Sequence, residues 1–144
     1  MRPSIAVPYS LAAHVARAAS VLAPPGGGKV LASLRARRGL RARFTAWGAR
    51  ARDPARPLLW VHAPSVGEGL QAQPVIAQLR ALHPDLQLAY TFFSPSAASF
   101  ARTIGADFAD YLPFVTRGEA DAALDALRPT AIVFSKLDVW PLLV

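Results

Sequence analysis

From Leu58 onward, the chain alternates short apolar runs with longer segments in which apolar residues recur at helical spacing. Apolar runs bounded by turns predict buried strands, and the periodic segments predict helices. The predicted strands are Leu58 to Val61, Leu86 to Phe93, Phe108 to Phe114 and Thr130 to Phe134. The predicted helices are Val66 to Leu82, a short helix that begins at Ser94-Pro95-Ser96 with Ser94 as its N-cap, and Arg117 to Leu127. Strands that alternate with helices, without hairpin signals, predict a parallel sheet with helices on both faces.

Two weaker patterns precede this sheet. Residues 4 to 23 carry a helical stripe of Leu11, Val15, Ala18 and Leu22, which predicts a helix lying in a membrane interface. A docking helix, a disordered leader and a wrongly assigned start codon are the alternatives for this segment. Residues 24 to 28 read Pro-Pro-Gly-Gly-Gly and predict a linker.

Residues 29 to 56 form a basic segment that is predicted to be largely helical. Its positions Leu40, Phe44 and Trp47 share one side, and Gly39 interrupts the run. We therefore divide the chain into a membrane-associated segment, 1–28, and an α/β domain, 29–144. Because the last residues begin a new apolar element, we expect this domain to be incomplete at its C-terminus.

The charge of the chain is unevenly distributed. The net charge is +7, but residues 29–56 hold nine basic residues and one acid, whereas residues 57–144 hold five basic residues and eight acids. A nucleic-acid-binding domain carries its positive charge on the folded face itself, so this distribution argues against nucleic acid as a partner. A basic flank beside an apolar helix favours an anionic membrane surface or lipid. The absence of cysteine excludes disulfides and thiolate metal sites.

The best candidate site lies where the first strand ends and the next helix begins. Ser65, Gly67 and Glu68 would sit beyond the carboxyl end of a parallel strand, which is where α/β sheets bind ligands. Gly67 would let the backbone approach another group closely. Glu68 has two interpretations: it forms a capping box with Ser65, or it takes a proton from a substrate hydroxyl. His14, His62 and His83 lack metal-ligand spacing, and we interpret His62 as a structural histidine at the strand end.

The residues from Trp60 to Glu68, reading WVHAPSVGE, resemble the signature of the 3-deoxy-D-manno-octulosonic acid (Kdo) transferase family. Further similarities follow in the same order along residues 29 to 144. They are Pro74-Val75-Ile76, Leu82-His83-Pro84-Asp85-Leu86, Ser94-Pro95-Ser96 in place of Thr-Pro-Thr, Tyr111-Leu112-Pro113-Phe114 in place of Tyr-Leu-Pro-Tyr, Leu127-Arg128-Pro129 and Trp140-Pro141.

The resemblance implies the Rossmann-like, acceptor-binding N-terminal half of a GT-B glycosyltransferase. Such an enzyme transfers Kdo from CMP-Kdo to a lipid A precursor at the cytoplasmic face of the inner membrane of a Gram-negative bacterium, without metal or other cofactor. It implies that Glu68 is the general base, and we expect Ser65, Gly67, Ser94, Ser96, Lys136 and Asp138 to contact substrate. CMP-Kdo would be bound mainly by a donor domain outside this chain, so we expect the 144 residues alone to be inactive.

The chain also departs from the family pattern. The family has a glutamate where this chain has Lys136, an aspartate at Val115 and a glycine at Ala97. Lys136 inverts a charge near the expected substrate, where it would pair with a phosphate or carboxylate. Lys136 and the absence of a donor domain from these residues support an alternative function, a non-catalytic membrane-peripheral module with the same fold that binds an anionic lipid or a partner protein.

Overall fold

A computed structural model describes residues 11, 12, 14–16, 18–20, 22, 28–114, 116–135 and 143. Five helices and four strands follow one another in the part from residue 28 onward. They are α1 (Lys29–Ala36), α2 (Leu40–Arg50), β1 (Leu58–His62), α3 (Val66–Leu82), β2 (Gln87–Phe92), α4 (Ala97–Ala101), β3 (Phe108–Tyr111), α5 (Arg117–Leu127) and β4 (Ala131–Phe134). The predicted alternation of strands and helices is confirmed, and α3 and α5 have the predicted bounds.

The four strands form one parallel sheet in the order β3-β2-β1-β4. The chain moves outward from β1 to β3 and then returns to the other side of β1 with β4. This reversal places the carboxyl ends of β1 and β4 side by side, at the position where open α/β sheets form a ligand crevice. The predicted Rossmann-like α/β fold is therefore confirmed.

Helices cover both faces of the sheet. On one face, Val61 of β1 and Ile76 of α3 border the same apolar groove. On the other face, Phe44 of α2 packs against Trp60 and Phe108, with ring centroids 6.1 and 4.7 Å apart. Trp60 and Phe44 are almost completely buried. Trp60 and Phe44, two of the largest buried side chains, thus lie between the sheet and α2, so α2 is part of the domain rather than a flank to it.

The basic segment, predicted to be largely helical with an interruption at Gly39, folds as two helices. It forms α1 and α2, and Gly39 between them adopts a left-handed conformation, with φ of 65°. Only glycine adopts such a conformation routinely without strain, so the residue that interrupts the sequence pattern is also where the helix breaks. The segment ends as a helix at Arg50 rather than near residue 56.

Several arginines of this segment bind other parts of the domain. Arg43 donates from Nε and Nη2 to the carboxylate of Asp110 on β3, at 2.6 and 3.1 Å. Arg52 donates from Nε to the Leu127 carbonyl at 2.7 Å and from Nη1 to Gln87 at 2.9 Å. These charges of the basic segment therefore join elements of the domain to one another.

Two predicted boundaries shift for local reasons. Strand β3 ends at Tyr111 rather than Phe114, since Pro113 has no amide hydrogen to continue the ladder. The short helix α4 begins at Ala97, and its N-cap is Ser96 rather than Ser94. The Ser94 carbonyl accepts from the Ala97 amide at 3.0 Å, so residues 94–97 form a turn before the helix.

The described residues between 11 and 22 are helical. Leu11, Val15 and Leu22 of the predicted apolar stripe are exposed, whereas Ser20 is buried and its carbonyl accepts from Arg38 Nε at 2.6 Å. None of the described helices has the length and apolar character needed to cross a bilayer. Membrane association of residues 1–28 stays a prediction.

Candidate functional site

The loops after β1, β2 and β4 meet at one edge of the sheet. The Pro64 carbonyl, which follows β1, accepts from the amides of Phe93 and Ser94, which follow β2, at 3.1 and 2.9 Å. On the other side of β1, the Ser135 amide donates to the His62 carbonyl at 2.8 Å. The turn that carries Ser65 to Glu68 is therefore held between two neighbouring loops, as the predicted crevice requires.

Glu68 lies in the first turn of α3, half-buried, and Ser65 Oγ donates a hydrogen bond to its carboxylate. Within the described part of the chain, the Ser65 side chain caps no amide of α3. The reciprocal capping box, the structural interpretation of this pair, is thus not formed, because the serine half of it binds the carboxylate instead. A carboxylate in the first turn is also favoured by the positive end of the helix dipole.

Ser135 fixes the backbone of Glu68 and was missed by the sequence analysis. Its Oγ donates to the Glu68 carbonyl at 3.2 Å. Its position in the sequence could have indicated this role. Ser135 directly follows β4, and in a parallel sheet the residues after neighbouring strands share one edge. The polar residue after β4 therefore belongs to the same loop cluster as Ser65.

Two glycines of α3 have different surroundings. A Cβ built on Gly67 would meet only Ser65 Oγ, at 3.8 Å, so no described part of the protein crowds this exposed position. A Cβ on Gly69 would lie 2.4 Å from Phe100 Cε1 and 2.6 Å from Tyr90 Oη. The close approach within the protein is thus at Gly69, and Gly67 is open for a ligand.

Tyr90, on β2, supports this turn from beneath. Its ring is fully buried, and its Oη has no hydrogen-bond partner among the described residues. Burial, together with the nearby charge of Glu68, raises the pKa of Tyr90 to about 12. The hydroxyl is therefore neutral at physiological pH and lies close to the carboxylate-bearing turn. An apolar strand gave no sequence signal for this placement.

A buried polar cluster lies in the strands just before the loops. Thr91 Oγ1 accepts from Trp60 Nε1 at 2.8 Å, and His62 Nδ1 lies 3.0 Å from the Thr91 carbonyl and 3.1 Å from its Oγ1. All three residues are inaccessible to solvent. These contacts agree with the interpretation of His62 as a structural histidine that orients the strand ends.

The remaining predicted site residues divide into two groups. Ser94 and Ser96 lie on the turn before α4, with their Oγ atoms 2.8 Å apart, and Ser96 is exposed. The bonds from the Phe93 and Ser94 amides to Pro64 bring this turn beside Ser65. Lys136 and Asp138, and the departure at Val115, lie outside the described residues. Across the described ranges, no group of three or more His, Asp or Glu is arranged to hold a cation.

Among the described residues, the loops after β1, β2 and β4 thus present the Glu68 carboxylate, several hydroxyls and an uncrowded helix N-terminus, which suits a hydroxyl-rich ligand. Residues 34–144 match the model of a family described as 3-deoxy-D-manno-octulosonic-acid transferase (kdotransferase), Glycos_transf_N. The chain is 28% identical over 114 residues to "3-deoxy-D-manno-octulosonic acid transferase" of Haemophilus influenzae, an alignment that covers 78% of this chain and 26% of the relative. It is 32% identical over 109 residues to "Probable 3-deoxy-D-manno-octulosonic acid transferase, mitochondrial" of Arabidopsis thaliana, covering 70% of this chain and 24% of that protein. The chain therefore spans about a quarter of the length of these relatives.

Proposed function

The chain belongs to the 3-deoxy-D-manno-octulosonic-acid transferase family, and we propose that it is the acceptor-binding part of a glycosyltransferase that moves Kdo from CMP-Kdo to a lipid A precursor. One observation carries the proposal for the chemistry. Glu68 is held at the carboxyl edge of the sheet by its bond from Ser65 and by the bond from Ser135 to its carbonyl. In this proposal, the fixed carboxylate faces an acceptor bound in the crevice between the loops.

In the proposed reaction, the Glu68 carboxylate takes the proton of an acceptor hydroxyl. The acceptor oxygen then forms a bond to the anomeric carbon of Kdo, and the bond from that carbon to CMP breaks, with its electron pair leaving on CMP. Proton removal by a positioned carboxylate contributes about 10²- to 10⁴-fold to such a step. The reaction needs no metal or other cofactor in this proposal, and CMP-Kdo is bound mainly by residues outside this chain.

The acceptor is proposed to contact the residues that surround Glu68. The Ser65, Ser94 and Ser96 hydroxyls can donate to or accept from sugar hydroxyls, and Gly67 leaves room for the acceptor beside the first turn of α3. Lys136 and Asp138 are proposed to complete the set from the segment after β4. A lysine there suits a phosphate of the acceptor.

The proposed location is the cytoplasmic face of a bacterial inner membrane. The exposed side chains of Leu11, Val15 and Leu22 give the N-terminal helical residues an apolar side, as an interfacial helix requires. A lipid acceptor would be reached from that surface.

The test replaces Glu68 by glutamine in the full-length protein that carries this chain. The assay follows CMP release from CMP-Kdo in the presence of a lipid A precursor. The expected result is a fall in kcat of at least about a hundredfold, because an amide cannot accept the proton. The control is Glu119→Gln, a change at the corresponding position of the first turn of α5. A wild-type kcat in Glu68→Gln would refute the role of Glu68 as the general base.

The alternative function, a non-catalytic module that binds an anionic lipid or a partner, gives a different result in the same assay. It predicts acceptor binding by the wild-type protein without any acceptor-dependent release of CMP. Binding is measured with vesicles that contain the lipid A precursor.

A further inference from the structure

We propose that Arg37 is a positioning residue of this site: its guanidinium joins the loops after β2 and β3, and the loop after β2 in turn holds the Ser65–Glu68 turn. Arg37 directly follows α1 and lies in a different part of the chain from Glu68. The expected effect of Arg37 on transfer rests on the proposed function, whereas its expected effect on loop order does not.

The Arg37 side chain is buried, with 5% of its surface exposed, although it carries a charge. Its Nε donates to the Leu112 carbonyl at 3.2 Å, and Nη2 donates to the Phe93 carbonyl at 3.1 Å. Nη1 donates to the Ser33 carbonyl at 3.0 Å and also contacts Ser33 Oγ. One planar group therefore joins α1 to the ends of two neighbouring strands.

The bond to Phe93 continues into the candidate site. The Phe93 amide donates to the Pro64 carbonyl at 3.1 Å, and the Ser94 amide donates to the same oxygen at 2.9 Å. The Phe93 carbonyl is held by Arg37, and Pro64 immediately precedes Ser65. An unbroken series of contacts thus runs from Arg37 through Phe93 and Pro64 to the turn that carries Glu68.

Aromatic rings enclose the guanidinium. Its central carbon lies 4.5 Å from the centroid of the Phe93 ring, 4.7 Å from that of Tyr111 and 5.8 Å from that of Phe114. Burial lowers the pKa of Arg37 to about 10, so the group still carries its charge at neutral pH. Both the stacking and the forked donation need a planar cation. Lysine supplies neither, since its ammonium is a compact point charge.

Arg52 offers a matched control. It too donates to carbonyls, from Nε to Leu127 at 2.7 Å and from Nη2 to Arg128 at 3.0 Å, and it also contacts Gln87 at the start of β2. These contacts lie at the opposite edge of the sheet, where the strands begin. Arg37→Lys and Arg52→Lys therefore remove the same kind of interaction at the two ends of the sheet.

The first measurement is amide hydrogen exchange in the full-length protein. We expect the Phe93 and Ser94 amides to exchange about tenfold faster in Arg37→Lys, because their loop loses the bond at the Phe93 carbonyl. In Arg52→Lys, the same amides are expected to keep wild-type rates. Unchanged exchange rates of these amides in Arg37→Lys would overturn the proposal, regardless of the result of any transfer assay.

The second measurement is steady-state Kdo transfer at a temperature where all variants are folded. We expect Arg37→Lys to raise KM for the lipid A precursor and lower kcat/KM by about tenfold, with KM for CMP-Kdo unchanged. Arg52→Lys is expected to keep the wild-type kcat/KM. Equal losses of kcat/KM in the two variants would mean that Arg37 stabilises the fold and does not position the site. If wild-type protein transfers no Kdo, the proposed function fails, while the exchange result still decides the positioning role.

A second variant covers the case in which Arg37→Lys does not fold. Phe93→Leu removes the ring that stacks on the guanidinium and keeps the backbone carbonyl that Arg37 binds. Since Phe93 is 47% exposed, this change leaves the core intact. Faster exchange of the residue 93 and 94 amides is the expected result, and wild-type exchange there would overturn the proposal.

Discussion

Replacing Gly69 by alanine places a methyl group where two aromatic side chains already lie. The new Cβ would be 2.4 Å from Phe100 Cε1 and 2.6 Å from Tyr90 Oη, whereas ordinary contact begins at 3.4 Å. Either the rings or the first turn of α3 must therefore move by about 1 Å, and closely packed interiors resist such movement. Tyr90 is fully buried on the central strand β2, so its ring has no free space to enter.

The size of the effect follows from two opposing terms. Overpacking a well-filled site costs about 1 to 3 kcal/mol. Alanine in place of glycine favours a helix by up to about 1 kcal/mol. Gly67→Ala isolates the second term, because its Cβ meets only Ser65 Oγ at 3.8 Å in the same turn. We expect Gly69→Ala to be less stable than Gly67→Ala by about 1 to 3 kcal/mol, and its Tm to be lower by about 3 to 9 °C.

Urea denaturation followed by circular dichroism measures both free energies of unfolding. The comparison concerns stability alone, because Gly67 is also a proposed substrate contact. Equal stabilities of the two variants would mean that Tyr90 and Phe100 do not pack against Gly69. The proposed support of the Glu68 turn by β2 would then be wrong.

Two further predictions concern α2 and Tyr90. Gly48→Ala is expected to destabilise the domain by about 1 to 3 kcal/mol, because its Cβ would lie 2.5 Å from the Ala126 carbonyl oxygen of α5. The control is Gly118→Ala, which should be neutral or stabilising because its Cβ would meet nothing within 4 Å. The pKa of Tyr90 is raised from 10.0 to about 12 in the folded protein. Between these pH values the folded state keeps a proton that the unfolded state loses. The free energy of unfolding should therefore fall as pH rises from about 10 to about 12. Tyr90→Phe should remove that part of the pH dependence, and unchanged dependence in this variant would contradict the assignment.

The elements of the sheet could be predicted because their boundaries are marked locally. Helix α3 ends at Leu82, two residues before Pro84, and helix α5 begins after Thr116, whose Oγ accepts from the Glu119 amide at 3.4 Å. Glu68 and Ser65 could be selected because a polar turn after a buried strand is a local pattern too. Each of these signals lies within a few residues of the feature that it predicts.

Arg37 and Ser135, which hold the loops of the site, are not marked by any local sequence pattern. Arg37 and the Phe93 carbonyl that it binds are 56 residues apart in the chain, and Ser135 is 67 residues from Glu68. One arginine among nine basic residues of a segment carries no mark of burial. Its role depends on how α1 crosses the ends of β2 and β3, which only the tertiary structure defines.

The contacts of these arginines also limit which positive charges of the basic segment could bind a lipid phosphate. A guanidinium that donates to backbone carbonyls or to a carboxylate does not present those donors to a lipid phosphate at the same time. Arg37, Arg43 and Arg52 are occupied in this way. Arg43 is exposed but paired with Asp110, and Arg41 and Arg50 are exposed too. The proposed contact with an anionic membrane would therefore rest on exposed cations such as these two, together with the apolar side of the N-terminal helical residues, rather than on the basic segment as a whole.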